Sequence, residues 1–330
     1  MKDSIIVLGI ESTAHTFGIG IASEDGILAN INRVHLPHYG GILPRLAARQ
    51  HTLSAHEVLQ DALKSANITL GEIDAIAVSL GPGLGPCLRV GAIFARFLAS
   101  YLGKPLIPVN HAVAHIEISI MATGTRDPLF VYVSGGNTMI IAFSEGRYRV
   151  FGETLDLPLG NFLDSIAREL GLPQPGVPSI EKLAEKGNKI LDLPYIVKGQ
   201  DISLSGLLTA ALRKYREGVA LEDLCLSIVE YTYSMLAEVT ERALAHTKKR
   251  ELVLAGGVAR SKRLQEIMRL VAKEHNASFH VVPYEYAGDN GAMIAWTGLL
   301  AYKYGIMISI EKSLIKQRWR IDEVEIPWRQ

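Results

Sequence analysis

Two histidines four residues apart carry the spacing that most directly suggests chemistry. His111 and His115 lie in the run 108–117, and alanines fill two of the three positions between them, a composition that favours a helix. Side chains four positions apart on a helix share one face. Both imidazoles can therefore bind one divalent metal ion. The motif alone leaves an alternative open, in which the two histidines only pack or cap.

The residues between the two histidines argue against a zinc peptidase. Such enzymes carry His-Glu-x-x-His, in which the Glu is the general base. Here the intervening residues are Ala112, Val113 and Ala114. The missing carboxylate favours a metal that binds or polarises a substrate.

Composition limits the class of protein. A chain of 330 residues that is 48% hydrophobic and 21% charged is globular, with two domains or lobes expected. Lys+Arg and Asp+Glu both number 34, so no global field attracts nucleic acid. A nucleic-acid role needs local basic patches. Arg318, Trp319, Arg320 and Trp328 give the tail a basic, aromatic character suited either to RNA contact or to packing on the first lobe.

Cysteines and apolar runs indicate a cytoplasmic protein. Cys87 and Cys225 are far apart and form no CxxC pair, so neither a zinc knuckle nor a disulfide framework is expected. The apolar runs are strand-length, far short of a membrane span. The run 4–10 follows a single Lys and is broken by Glu11, unlike a signal peptide.

One pattern of elements is predicted twice along the chain. Each half holds a hairpin with a polar tip, with strands at 5–10 and 17–22 around tip 11–16, and at 129–133 and 139–143 around tip 134–138. Each half also holds a strand, a glycine turn and a helix, at 75–79, 81–85 and about 88–102, and at 252–255, 256–258 and about 262–273. Alternating strands and helices of this kind predict α/β lobes.

The paired glycine loops suggest a nucleotide between two similar lobes. Glycine tips let phosphate oxygens approach backbone N–H groups, and helix N-termini add favourable dipoles. Any one loop is also explained as an ordinary tight turn. The sequence contains no GxxxxGK[ST], and no GxGxxG opens a helix after the first strand, which argues against P-loop and Rossmann interpretations.

Besides the histidine pair, distinctive motifs lie along nearly the whole chain, at 9–16, 40–44, 81–91, 132–138, 160–164, 203–207 and 286–292. Together they resemble the universal tRNA threonylcarbamoyladenosine transferase family, the catalytic subunit of the KEOPS complex and its bacterial counterpart. The forms at 14–16 and 81–91 resemble archaeal or eukaryotic members.

The resemblance implies an α/β fold of the actin/Hsp70/sugar-kinase (ASKHA) type, with a duplicated core and a nucleotide site between two lobes. The lobes are then expected at 1–127 and 128–300. The segment 301–330 is expected to pack back on them.

The resemblance also implies a set of binding residues. The metal ligands correspond to His111, His115, Tyr132 and Asp289, a donor set that suits Fe²⁺ or Zn²⁺. The adenine-nucleotide residues correspond to Ser134, Gly135, Gly136, Asn137, Thr138, Asp164, Glu181 and Ser261. Without the resemblance, Asp164 and Glu181 would be interpreted as helix caps or solvated positions. Three residues depart from the family pattern: Val177 for Gly, Ser261 for an Asn that contacts nucleotide, and Leu43 for His.

The implied reaction moves a threonylcarbamoyl group from threonylcarbamoyl-adenylate to the exocyclic amine of the adenosine 3′ of the tRNA anticodon, releasing AMP. The implied partners are tRNA, a small protein kinase and small adaptor subunits, and a helix at 53–66 either docks one of them or covers its own sheet. Alternatives are an ASKHA-fold ATPase or kinase without a tRNA substrate, a metallopeptidase, or a non-catalytic scaffold. His51 and His56, five residues apart, are expected at the surface.

Overall fold

Short apolar runs form the strands and longer amphipathic stretches form the helices. The computed structural model describes residues 4–35 and 42–329; the motif glycines Gly40 and Gly41 lie outside these ranges. The strands are β1 (Ile6–Glu11), β2 (Thr16–Ser23), β3 (Gly26–Val34), β4 (Ala75–Gly81), β5 (Leu106–Asn110), β6 (Leu129–Val133), β7 (Thr138–Ser144), β8 (Arg147–Glu153), β9 (Val197–Lys198), β10 (Asp201–Ile202), β11 (Glu251–Ala255) and β12 (Ser278–Val281).

The helices follow the same order. They are α1 (Pro44–Ala66), α2 (Gly85–Leu102), α3 (His111–Thr123), α4 (Leu159–Glu169), α5 (Gly176–Ala184), α6 (Ser205–Arg216), α7 (Leu221–Thr247), α8 (Lys262–Glu274), α9 (Tyr284–Ala287) and α10 (Gly291–Lys303). Single 3₁₀ turns occur at Leu70–Glu72, Gly257–Arg260, Ile310–Lys312 and Ile321–Glu323. No helix in the described parts of the chain is both long enough and apolar enough to span a membrane.

The chain divides into two units. The first consists of Met1–Ala122, Glu145–Tyr148 and Gly288–Gln330, and the second consists of Thr123–Ser144 and Arg149–Ala287. The second unit is therefore an insertion within the sequence of the first.

The first unit is built on a five-stranded sheet with the order β3-β2-β1-β4-β5. β1 is antiparallel to β2 and parallel to β4, and β4 is parallel to β5. This order places the C-terminal ends of β1, β4 and β5 side by side at one edge of the sheet. The residues that follow these three strands therefore lie close together.

Alternation along β2 explains how helices cover both faces of the first sheet. Phe17 belongs to the buried core that includes α1 and α2, and its ring lies 6.1 Å from that of Phe94 on α2. The intervening Gly18 and Gly20 face α10 so closely that a Cβ on Gly20 would overlap the backbone of Gly291. The sequence analysis expected the second lobe to extend to residue 300. In the structure α10, which begins at Gly291, packs on the first sheet, because the glycines of β2 leave room for it.

The second unit repeats the strand order of the first. Its sheet runs β12-β11-β6-β7-β8, with β6 antiparallel to β7 and parallel to β11. In both sheets a hairpin is followed in space by two parallel strands, which confirms the predicted duplicated core. A large apolar cluster beneath this sheet contains residues of α4, α5, α6, α7 and α8.

Candidate metal centre and nucleotide-binding residues

The predicted helix around the histidine pair begins at His111 itself. Asn110, the last residue of β5, accepts hydrogen bonds through its Oδ1 from the backbone N–H groups of Ala112 (2.9 Å) and Val113 (3.2 Å). An amide oxygen in this position satisfies N–H groups that the first helical turn leaves free. The cap fixes the first turn of α3 and therefore the direction of both imidazoles.

Three side chains of the first unit converge on one point. Nε2 of His115 lies 3.2 Å from Nε2 of His111 and 3.2 Å from Oδ1 of Asp289. Nε2 of His111 lies 3.5 Å from the same oxygen. One ligand atom from each residue falls within 4.8 Å of the other two, so these residues form a group that could hold a metal ion.

Asp289 reaches this cluster through the start of α10. The next residue, Asn290, accepts a hydrogen bond from the N–H of Met293 (2.9 Å) and donates from its Nδ2 to the carbonyl of Gly288 (2.7 Å). These two bonds fix the backbone on both sides of Asp289. Nδ1 of His15, at the β1–β2 tip, lies 3.9 Å from Oδ2 of Asp289.

A fully buried carboxylate supports the cluster from the end of β1. Oε2 of Glu11 lies 3.1 Å from Nδ1 of His111, and its other oxygen accepts hydrogen bonds from the N–H (2.6 Å) and hydroxyl (2.5 Å) of Thr13. The Thr13 hydroxyl oxygen also lies 3.2 Å from Nδ1 of His111. Sequence reasoning did not assign Glu11 a role, although a Glu that ends an apolar strand was a usable signal.

The carboxylates determine the protonation of this cluster when no metal is bound. Burial alone would lower the pKa of His111, but Glu11 and Asp289 raise it to about 9. Burial lowers the pKa of His115. Burial would raise the pKa of Asp289, but the two imidazoles hold it well below its usual range. A metal ion bound by this group would therefore compete with a proton for His111.

The donor set fits a divalent transition metal. Two imidazole nitrogens and one carboxylate oxygen are ligands that Zn²⁺ and Fe²⁺ accept, and both metals use such sites with further positions left open. Glu11 stands where an outer carboxylate orients a ligating histidine and raises its basicity.

Tyr132 lies at the end of β6 in the second unit. Its ring is buried and stacks on that of Phe130, with the centroids 6.2 Å apart. Its assignment as a fourth ligand stays a prediction.

The polar tip after β6 is a compact loop with an exposed rim. Ser134 accepts from the N–H of Asn137 through its Oγ (3.0 Å), and its own N–H donates to the Asn137 carbonyl (2.8 Å). Gly135 and Gly136 are both exposed, with open space beside each α-carbon. Thr138 is buried and accepts from the N–H of Leu159 (2.8 Å) at the start of α4. The tip is thus joined to α4 and has free space at its glycines.

Asp164 and Glu181 lie on the adjacent helices α4 and α5. Oδ1 of Asp164 accepts from the N–H of Gly176 (2.7 Å), the first residue of α5. Oε1 of Glu181 accepts from the hydroxyl of Tyr233 (2.7 Å) and from the hydroxyl of Ser261. Ser261 also caps α8, since its Oγ accepts from the N–H of Leu264 (2.9 Å). Asp164 is therefore joined to the start of α5, and Glu181 is joined through Ser261 to the start of α8.

Two other sequence-based expectations have clear outcomes. The prediction that His51 is a surface residue is wrong: only 1% of it is exposed, and its ring lies 5.7 Å from that of Phe17. His51 is buried because α1 begins at Pro44 and turns this position toward the sheet. His56 is exposed, as predicted.

The tail packs on the first unit, as one of the two interpretations predicted. Trp319 is partly buried against the core beneath the first sheet. Nε1 of Trp328 donates to Glu117 on α3 (3.0 Å), and Arg329 makes a charged pair with the same buried carboxylate (2.6 Å).

The duplicated sheets and their helices define the class of the protein, an α/β fold of the ASKHA type. A crystal structure of HypF from T. kodakarensis superposes with a TM-score of 0.66 at 16% identity, over 95% of this chain and 49% of that one. The ROK hexokinase from Thermus thermophilus gives 0.50 at 15% identity, over 91% of this chain and 100% of that one. At such identities the likeness shows the fold alone.

Sequence comparison shows the family within this class. The family model TsaD, described as tRNA N6-adenosine threonylcarbamoyltransferase, matches residues 26–296. A protein of that name from Thermofilum pendens is 62% identical over 98% of this chain and 97% of its own length. The chain therefore belongs to the tRNA N6-adenosine threonylcarbamoyltransferase family, and it is a transferase that modifies tRNA.

Proposed function

We propose that this protein transfers the threonylcarbamoyl group of threonylcarbamoyl-adenylate to the N6 amine of the adenosine 3′ of the tRNA anticodon, and releases AMP. One new C–N bond forms at the carbamoyl carbon, and the bond from that carbon to the adenylate phosphate oxygen breaks. The amine loses a proton overall. The observation that carries this proposal is the buried cluster of His111, His115 and Asp289, supported by Glu11, in a chain of this family.

The residues of the cluster are proposed to hold one metal ion, with Tyr132 as a further ligand. Fe²⁺ is the first choice and Zn²⁺ the second, because two histidines and one carboxylate with open positions are typical of non-haem Fe(II) sites. When bound, the metal would supply Lewis-acid polarisation and a chelating position for threonyl oxygens.

Residues of the second unit are proposed to bind the adenylate half of the donor. Gly135 and Gly136 are exposed and have open space beside each α-carbon, so phosphate oxygens can approach the backbone of this tip closely. Asp164 and Glu181 each use one named carboxylate oxygen for protein hydrogen bonds. Their other oxygens, Oδ2 and Oε2, are the proposed acceptors for ribose hydroxyls. Ser134, Asn137, Thr138 and Ser261 shape these positions.

Orientation is the main contribution expected from the protein to the rate. The exocyclic amine of adenine is a weak nucleophile, so holding it against an activated carbonyl lowers the barrier by removing orientational freedom before the reaction. No side chain is assigned as a general base.

The protein is proposed to work in the cytoplasm within a KEOPS-type assembly. Its net charge of zero gives little non-specific attraction for tRNA, which depends on clustered Lys and Arg. Partner subunits, including a small protein kinase and adaptor proteins, are therefore expected to supply much of the tRNA surface. Exposed Leu46 and Leu53 on α1 make this helix one candidate docking element.

Reconstitution tests the proposal. Purified protein, partner subunits, unmodified tRNA and threonylcarbamoyl-adenylate should give threonylcarbamoyladenosine and AMP in equal amounts, measured by mass analysis of tRNA nucleosides and by chromatography. A variant carrying His111→Ala and His115→Ala should give neither product. Nucleoside triphosphate hydrolysis without any tRNA modification would favour the ATPase or kinase alternative.

A further inference from the structure

A strongly basic segment of the first unit has no role in the chemistry proposed above. Residues 312–320 contain Lys312, Lys316, Arg318 and Arg320 and no acidic residue. All four cations are exposed. Arg320 pairs with Asp322 at 3.1 Å, an exposed pair that contributes little to stability. This basic segment concentrates positive charge in a chain whose net charge is zero.

The backbone of the basic segment is fixed at the edge of the first sheet. The N–H of Lys316 donates to the carbonyl of Leu80 (2.7 Å), and the carbonyl of Gln317 accepts from the N–H of Gly83 (3.2 Å). Nε of Arg96 on α2 donates to the Ser313 hydroxyl (2.8 Å). The segment therefore lies on the glycine loop after β4 as a fixed surface.

Further contacts place the basic segment beside the candidate metal-binding residues His111, His115 and Asp289. The carbonyl of Trp319 accepts from Nδ2 of Asn110 (3.1 Å), and Asn110 directly precedes His111. On its other side, the glycine loop binds Thr13, since the N–H of Leu84 donates to the Thr13 carbonyl (2.8 Å). The hydroxyl of Thr13 in turn contacts Glu11 and His111.

The chemistry of the segment fits a polyanion that carries bases. Arginine and lysine bind phosphate oxygens, and an aromatic side chain interleaved with cations is a feature of single-stranded nucleic-acid sites. Trp319 lies within the cation series, with Nζ of Lys316 4.9 Å from its ring centroid. An acidic protein partner would explain the cations but not their position. The position next to the proposed site of the reacting adenosine favours tRNA.

We propose that residues 312–320 bind the sugar-phosphate backbone of the tRNA next to the acceptor adenosine, with Lys316, Arg318 and Arg320 as the phosphate contacts. This inference rests on the proposed function, because it takes the adenosine of tRNA as the acceptor. The segment then orients the anticodon loop while partner subunits hold the rest of the tRNA.

The test compares the wild-type assembly with one carrying Lys316→Ala, Arg318→Ala and Arg320→Ala. Binding of tRNA is measured by fluorescence anisotropy at several salt concentrations. Loss of three phosphate contacts should reduce the slope of log K against log salt by about 2. The KM for tRNA should rise by roughly tenfold or more, while kcat at saturating tRNA stays near wild type, since the reacting groups are untouched.

Two matched variants separate charge at this place from charge in general. Lys316→Arg, Arg318→Lys and Arg320→Lys together keep the charge and should bind nearly as the wild type does. Lys189→Ala, Lys198→Ala and Lys273→Ala remove three exposed cations of the second unit and should leave the KM unchanged. Metal content and thermal unfolding verify that the alanine variant is folded.

An unchanged salt slope and KM in the folded alanine variant would overturn the proposal. Loss of a partner subunit, seen by gel filtration, with an unchanged salt slope would also overturn it and assign the segment to an acidic protein. Failure of the wild-type assembly to modify tRNA would instead count against the proposed function, and the binding measurement would still test the segment.

Discussion

Glu11 and His111 lie 100 positions apart in sequence, yet Oε2 of the first is 3.1 Å from Nδ1 of the second. Nε2 of His111 faces His115 and Asp289 on the other side of the ring. The imidazole thus lies between a buried carboxylate and the candidate metal position. In the neutral imidazole this arrangement favours the tautomer with its proton on Nδ1, so that a metal ion would take the place of the proton on Nε2.

Replacing Glu11 should weaken metal binding without removing a ligand. Glu11→Gln keeps the size of the side chain but removes its charge, so His111 becomes a less basic ligand. We expect metal affinity to fall by about 10- to 100-fold, measured by competition with a chelating dye. Glu57→Gln, at an exposed position on α1, is the control. Equal affinities for the three proteins would show that Glu11 does not tune the site.

One tightly held divalent metal per chain is expected, bound by His111, His115 and Asp289. The double variant His111→Ala, His115→Ala should lose the metal, because two of the three converging ligands are gone. Elemental analysis of purified protein gives the metal content. The control, His56→Ala with His275→Ala, removes two histidines outside the cluster. Equal metal content in all samples would contradict the assignment of these residues as metal ligands.

Ser261 is expected to act on nucleotide binding through Glu181. Ser261→Ala removes both the cap of α8 and a donor to the Glu181 carboxylate, so it should cost about 1 kcal/mol of stability and weaken nucleotide binding. Ser261→Asn keeps a good capping residue and has a longer reach, so it should bind adenine nucleotide more tightly than wild type. Calorimetric titration measures both effects. If the Asn variant binds nucleotide no more tightly than wild type, the Ser at this position does not weaken nucleotide binding.

The close packing of α10 on β2 depends on glycine. A Cβ at Gly20 would overlap the backbone of Gly291 and Ala292, where no flexible side chain can yield. Gly20→Ala should therefore destabilise the protein by roughly 1–3 kcal/mol or more. The control is Gly71→Ala, where the nearest atom to the new Cβ would be 3.9 Å away. Thermal and urea unfolding of the two variants should differ clearly, and matching curves would contradict the packing described here.

Buried His51 should make stability depend on pH. Burial lowers its pKa from 6.5 to about 4, so the unfolded chain binds a proton that the folded protein excludes. The free energy of unfolding is therefore unaffected by this group above about pH 6.5. It falls as the pH is lowered toward 4, by at most about 3 kcal/mol. His51→Leu should flatten the difference in unfolding free energy between pH 7 and pH 4.5 relative to wild type. Parallel pH profiles of the two proteins would refute this.

The elements of both sheets were predictable because local patterns determine them. The hairpins at 5–22 and 129–143 follow from apolar runs on either side of a polar tip, and the helix at His111 follows from its alanines. The helix at 53–66 was predicted too short, since α1 begins at Pro44. The missed residues 44–52 include His51, so its burial was missed as well.

The support of the cluster was not predictable from local patterns. Glu11 meets His111 because β1 and β5 are both neighbours of β4 in the sheet order. Asp289 meets them because glycines on the first sheet admit α10. Both facts depend on tertiary packing, which no single motif encodes. The resemblance to a family indicated the candidate ligands, whereas the carboxylate of Glu11 behind them is seen only in the three-dimensional structure.

The insertion of the second unit within the first has a consequence for the order of synthesis. His115 and Asp289 are 174 positions apart, and nearly all of the intervening chain belongs to the second unit. On the ribosome, the histidine helix emerges long before the aspartate that completes the cluster. Since domains fold as units during synthesis, the inserted unit can fold while the first unit still lacks α10. The candidate metal-binding cluster is therefore completed late, when the carboxylate of Asp289 joins the two imidazoles.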